Sequence, residues 1–135
     1  MLRIIFAVIA GFLLWGALCV PANAVVAAVF PERFEADGGT FDALMCLLLI
    51  AMSVGYSIAS GYLVAAIGRE DARRAVWGLA IVNLCFGIFV EVSYWNSLPV
   101  WYHLVFLALL IPGILLGGKL RMRRAPAVGE STATA

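Results

Sequence analysis

The chain has 135 residues, 64% of them hydrophobic and 13% charged, and a mean hydropathy of +1.04. Soluble domains are typically about 45–50% apolar and about 25% charged, so a water-soluble fold of this size is excluded in favour of one compact unit solvated by a bilayer. A formal net charge of +1 argues for neither nucleic acid nor an acidic partner.

The first apolar run covers residues 4–30 and is interrupted only by Pro21 and Asn23. A spanning helix needs about 20 apolar residues at about 1.5 Å each, so this longer run predicts tilt, or a kink at Pro21, which lacks a backbone donor. Arg3, the stretch 4–20 and Ala22-Asn23-Ala24 also resemble a signal peptide with its small-residue cleavage site. The run continues apolar through residue 30, however, which favours a retained membrane helix. Phe30-Pro31 ends it. The loop at 32–42 carries Glu32, Glu35, Asp37 and Asp42 against Arg33 alone. Gly38-Gly39 marks a turn, and Thr40 or Asp42 suits a helix N-cap. Oxygen ligands of this kind can hold a divalent cation, but the spacing matches no calcium loop and reads as a solvated acidic face.

The second span is expected at 43–67, stopped by Gly68 as a C-cap. A short polar link, 69–74, leads to a third span at 75–94. The link 95–99 is too short for anything but a tight hairpin, and the fourth span follows at 100–118. Basic residues 119–124 come next, then a small polar tail, 125–135, expected to be disordered and cytoplasmic. The domain reading is therefore a four-span unit over 1–124 with a short tail.

Basic residues set the orientation. Arg3, the trio Arg69, Arg73 and Arg74, and the cluster Lys119, Arg121, Arg123 and Arg124 all fall on one side of a four-span chain. Only Arg33 falls on the other. The positive-inside rule then puts both termini in the cytoplasm; three or five spans would scatter the clusters. Tyr94, Trp95, Trp101 and Tyr102 around the third link fit an interfacial aromatic belt.

Small and polar side chains mediate helix contacts in lipid. In the second span Ser53, Ser57, Ser60 and Gly61 share one face, and Ala51, Gly55 and Ala59 repeat on the opposite one. Gly87 lies between Asn83 and Glu91 on one face of the third span, and Gly113 and Gly117 form a G-x-x-x-G in the fourth. Gly55, Gly61, Gly87, Gly113 and Gly117 are read as helix-packing positions.

Glu91 is the only acid well inside an apolar span, and His103 is the only histidine. An intramembrane acid is costly and calls for a partner or water access. The two lie about six residues before and after the centre of the third link, which puts them at similar depth in antiparallel helices, about one and a half turns below the outer surface. The candidate intramembrane polar site is Glu91, His103, Asn83 and Ser57. Its functional reading is a titratable pair facing an outward-open cavity, able to couple protons to a small substrate. Its structural reading is a pair that locks the hairpin.

Absences narrow the function. The three cysteines, Cys19, Cys46 and Cys85, are isolated in apolar runs and form no C-x-x-C or zinc spacing. One histidine cannot supply two axial haem ligands. The first span has no acid, unlike that of the four-span small multidrug exporters. No phosphate-binding glycine loop or G-x-S-x-G occurs. No catalytic, metal or cofactor site is expected.

Pro99-Val100-Trp101-Tyr102-His103-Leu104-Val105-Phe106, then Ile111-Pro112 and Gly117-Gly118-Lys119-Leu120-Arg121, carry a resemblance. Gly11-Phe12 with Trp15, Phe30-Pro31, and Gly61-Tyr62 with Ala65 add to it. Together they resemble a group of small, uncharacterised bacterial four-span inner-membrane proteins, over most of residues 1–124. The resemblance implies a bacterial inner membrane and brings no assigned activity.

The expected fold is all-α, a four-helix transmembrane bundle running up-down-up-down with short links, every backbone group satisfied within helices. Its partners are the lipid bilayer and either further copies of itself or a larger membrane protein. Two functions are expected to compete: a non-catalytic accessory or scaffold component, and a small transporter or channel-like oligomer using Glu91 and His103.

Overall fold

The computed structural model of the chain describes residues 1–37 and 39–134, apart from the side chains of 125–134. Among the described residues it is helical, without strands. Helix α1 spans Leu2–Val29 and keeps Pro21 inside it. A 3-10 turn at Pro31–Arg33 follows, then α2 at Ala43–Gly68. A second 3-10 turn, Arg69–Asp71, leads to α3 at Ala72–Ser93, and α4 is Val100–Thr134. The side chains after Arg124, where the disordered tail was expected, lie outside those described. Three helical stretches are long and apolar enough to cross a membrane: Leu2–Val29, Ala43–Ser93 and Val100–Arg124. The middle one comprises α2, the second turn and α3.

The start of α2 follows from Asp42. Its Oδ1 accepts from the backbone N–H groups of Leu44 (2.9 Å) and Met45 (3.3 Å), which have no partner inside the helix. Thr40 is buried instead, donating its hydroxyl to the Arg33 carbonyl at 2.6 Å. The end of α2 differs from expectation by one residue. Gly68 is helical and buried, packed so closely on Ala75 that a side chain there would lie 3.1 Å from its Cβ. The left-handed backbone falls on Arg69, with φ of 51°. Smallness, not backbone freedom, is what Gly68 supplies.

Helix α2 packs against each of the other three. Against α4 the approach is backbone to backbone. A Cβ on Gly61 would strike the Ile114 carbonyl, and one on Gly117 the Ile58 carbonyl. Gly113 admits Ser57 the same way, at 2.9 Å. Gly87 makes room for Leu107 and Leu110, each 3.3 Å from where its Cβ would be. Four of the five predicted packing glycines thus sit at helix contacts. Gly55 does not: it is exposed, and a Cβ there would meet nothing within 4 Å. The reason is angular. Gly55 is two residues from both Ser53 and Ser57, so at about 3.6 residues per turn it points away from the buried face they define.

Candidate functional site

The link between α3 and α4 brings Glu91 and His103 together. Glu91 is in the last turn of α3 and His103 in the first turn of α4, so the pair is nearer the helix ends than the one and a half turns expected from counting. Both are nevertheless buried, Glu91 at 4% exposure and His103 at 0%. Burial comes from aromatic cover. The Trp95 indole stacks on the His103 ring at 4.8 Å and 11°, and Tyr102 meets it edge-on at 5.9 Å. Tyr102 is itself 94% hidden, so it belongs to the interior and not to the surface belt predicted for it. Tyr94, Trp95 and Trp101 remain partly exposed.

Hydrogen bonding defines the proton content of the pair. The Trp95 carbonyl, 3.3 Å from His103 Nε2, can only accept, so Nε2 carries a hydrogen. His103 Nδ1 is hydrogen bonded to Glu91 Oε2. One proton serves that second contact, donated either by a Glu91 hydroxyl or by Nδ1–H. Either arrangement has no net charge, which suits a site removed from water. Glu91 Oε1 makes no hydrogen bond among the described residues, and Glu91 forms part of the wall of a cavity.

Asn83 and Ser57 do not join this pair. Asn83 lies two turns further along α3, about 12 Å away at about 1.5 Å per residue. It is 1% exposed, and neither its Oδ1 nor its Nδ2 has a partner among the described residues. Ser57 donates to the Ser53 carbonyl (2.8 Å) and accepts from Trp15 Nε1 (3.3 Å). Trp15, Ser57 and Asn83 each lie near the middle of their helices, so the predicted site divides into an acid–imidazole pair at the helix ends and a central polar layer. Trp15 was missed as a polar partner. A tryptophan mid-span, with a donor that lipid cannot satisfy, was the available signal.

The cavity beside Glu91 has a volume of about 530 Å³ and lies mainly between α1 and α3, with Leu49 of α2 and Tyr102 and Phe106 of α4 on its wall. Helix α1 contributes Phe12, Gly16 and Asn23, and α3 contributes Phe86, Val90 and Glu91. Toward one end the two helices close up. Phe12 and Phe86 meet edge to face at 5.2 Å, and Gly78 admits Val8. Toward the other end the wall includes Phe34 and Asp37 of the first loop and Leu98 of the third link. These two connections are latched: Ser97 donates its hydroxyl to Asp37 Oδ2 at 2.5 Å, and Gly39 N–H donates to Asp37 Oδ1 at 2.9 Å. Both bonds favour the carboxylate, chiefly the one from Ser97, and hold the Asp37 carboxyl below its ordinary value.

The other loop acids behave as a solvated face. Asp42 pairs with Arg33 at 3.1 Å besides capping α2, and Glu32 and Glu35 are exposed. Among the described residues no three metal-ligating side chains converge. Compared with known proteins, the chain matches no family model, no curated protein and no solved structure.

Proposed function

We propose that the chain is a four-pass, non-catalytic component of a bacterial inner membrane, an accessory or scaffold protein with both termini in the cytoplasm. The observation that carries the non-catalytic reading is the internal satisfaction of the histidine of its most reactive pair. His103 has no exposed surface, and both its ring nitrogens are engaged within the α3–α4 hairpin. A group held that way locks two helices together and is poorly placed to meet a substrate.

Four passes are supported by the break at Arg69–Asp71. An unbroken 51-residue helix would be more than twice as long as the roughly 30 Å hydrocarbon core, at about 1.5 Å per residue. Instead α2 and α3 pack on each other. The orientation is supported by the charges at the two ends. Arg3 and Arg69 border one recess with Leu2, Phe6 and Ile67, while the acidic first loop meets the third link at the opposite end. Large apolar side chains such as Phe6, Leu13, Phe89 and Val92 are more than half exposed, surfaces for lipid, for another copy or for a larger membrane partner.

The test combines two readouts in the native host. Glu91→Gln and His103→Gln variants are expected to lower thermal stability in detergent, and native mass spectrometry of the gently extracted protein is expected to find a stoichiometric partner of different mass. A second reading, a small transporter, is favoured by the position of Glu91 on the cavity wall. Variants of wild-type stability that abolish uptake or efflux would establish that reading and sink the structural one.

A further inference from the structure

We infer that the cleft between the outer halves of α1 and α3 is a binding site for a lipophilic organic cation. This goes beyond the accessory reading and does not depend on it, since a ligand site can sit on a scaffold or a transporter alike. Its volume of about 530 Å³ falls within the roughly 300–1,000 Å³ of pockets that enclose a compact drug-sized molecule.

The chemistry of the wall selects the charge. Among the described residues, Asp37 and Glu91 are the carboxylic acids that line it, and no lysine, arginine or histidine does. Asp37 is held as the carboxylate at the outer end, beside the exposed acids Glu32 and Glu35. Glu91 is 96% buried, with Oε2 engaged by His103 and Oε1 left unpartnered beside the cavity. Glu91 and His103 together carry no net charge, so the Asp37 carboxylate is the net charge on the wall, and it disfavours an anion at that end, the phosphate of a phospholipid included. A cation lying beside Oε1 is attracted by the partial negative charge of that oxygen, and a neutral molecule of the same shape is not.

The remaining wall selects the body of the ligand. Phe12, Trp15, Phe86, Tyr102 and Phe106 present ring surface, and aromatic faces attract cations once water is excluded. The rim includes Val20 and Phe86, 70% and 40% exposed, so the cleft is open on its membrane side and a lipid-dissolved ligand can enter laterally. Gly16 keeps that space clear. It lines the cavity, and a Cβ there would meet nothing within 4 Å.

The experiment titrates the purified full chain in detergent with tetraphenylphosphonium, by calorimetry and by equilibrium dialysis. Saturable one-to-one binding is expected. Gly16→Leu, whose Cβ meets nothing within 4 Å and whose side chain occupies the cleft, is expected to weaken it at least tenfold with an unchanged melting temperature. Gly55→Leu, on the outward face of α2, is expected to leave it unchanged. Asp37→Asn removes the charge from the cavity end and is expected to weaken binding several-fold. Triphenylphosphine oxide, neutral and of similar shape, is expected to bind more than tenfold more weakly. Absence of saturable binding, equal binding to Gly16→Leu, or equal binding of the neutral probe would each overturn the inference.

Discussion

His103 has an acid on one ring nitrogen, a carbonyl on the other and an indole against its face. Removing one partner of a buried hydrogen-bonded pair leaves the other unsatisfied, which typically costs about 1–3 kcal/mol. Glu91→Gln and His103→Gln are each expected to destabilise the protein on that scale in detergent unfolding. The double variant should lose less than the two losses added, since the residues act as a unit; strict additivity would mean the contact is energetically silent. Trp15→Phe removes the bond to Ser57 together with part of a buried ring; intramembrane hydrogen bonds average about 0.6 kcal/mol, so most of the expected fall in melting temperature comes from lost packing. Asp37 gives a pH dependence with a definite sign. Its folded-state carboxyl lies below the ordinary value of 3.8, so the Asp37–Ser97 latch contributes fully above that value and is lost as pH falls through the lower, folded one. Melting temperature followed from pH 7 downwards should therefore hold level until about pH 4, the ordinary range of an aspartate. Asp37→Asn should flatten the decline that follows.

At the scale of elements, the α2–α4 contact is the least forgiving. Inserting side chains into a packed core commonly costs about 1–3 kcal/mol, and more when the obstacle is backbone. Gly61→Leu and Gly117→Leu meet the carbonyls of Ile114 and Ile58, which cannot rotate away. Both are expected to lower the melting temperature sharply in thermal-shift measurements, whereas Gly55→Leu should leave it nearly unchanged. Equal effects at Gly55 and Gly61 would argue against the assigned faces. The G-x-x-x-G of Gly113 and Gly117 therefore works within one chain, and α4 does not need a second copy to explain it.

For the whole molecule, the four-pass reading makes a prediction about sidedness. In a background lacking Cys19, Cys46 and Cys85, a cysteine at Ala36 is expected to react with an impermeant maleimide added to intact cells. One at Glu70 should react only after the membrane is opened. Labelling of both from outside would mean that α2 does not cross the membrane and would remove the four-pass reading, and the opposite pattern would invert the orientation. Neither outcome depends on the cleft or its ligand.

Composition by itself determined that this chain belongs in a bilayer, because apolar content on this scale cannot be buried in so small a soluble fold. Local patterns determined the helix limits to within a few residues except at the end of α4, which continues to Thr134 beyond the expected 118, and they narrowed the α2 cap to Thr40 or Asp42 and marked its serine face, since each depends on neighbours within a turn or two. The pairing of Glu91 with His103 was also legible, because a five-residue link forces the two helix ends together. Only the tertiary structure decided that Gly55 faces outward while Gly61 touches backbone, that Trp15 serves Ser57, and that Tyr102 is interior. It alone opened a cleft from residues of all four helices and two loops. Those facts depend on how far helices lean apart and which rotation each adopts, and sequence spacing within one helix carries no record of either.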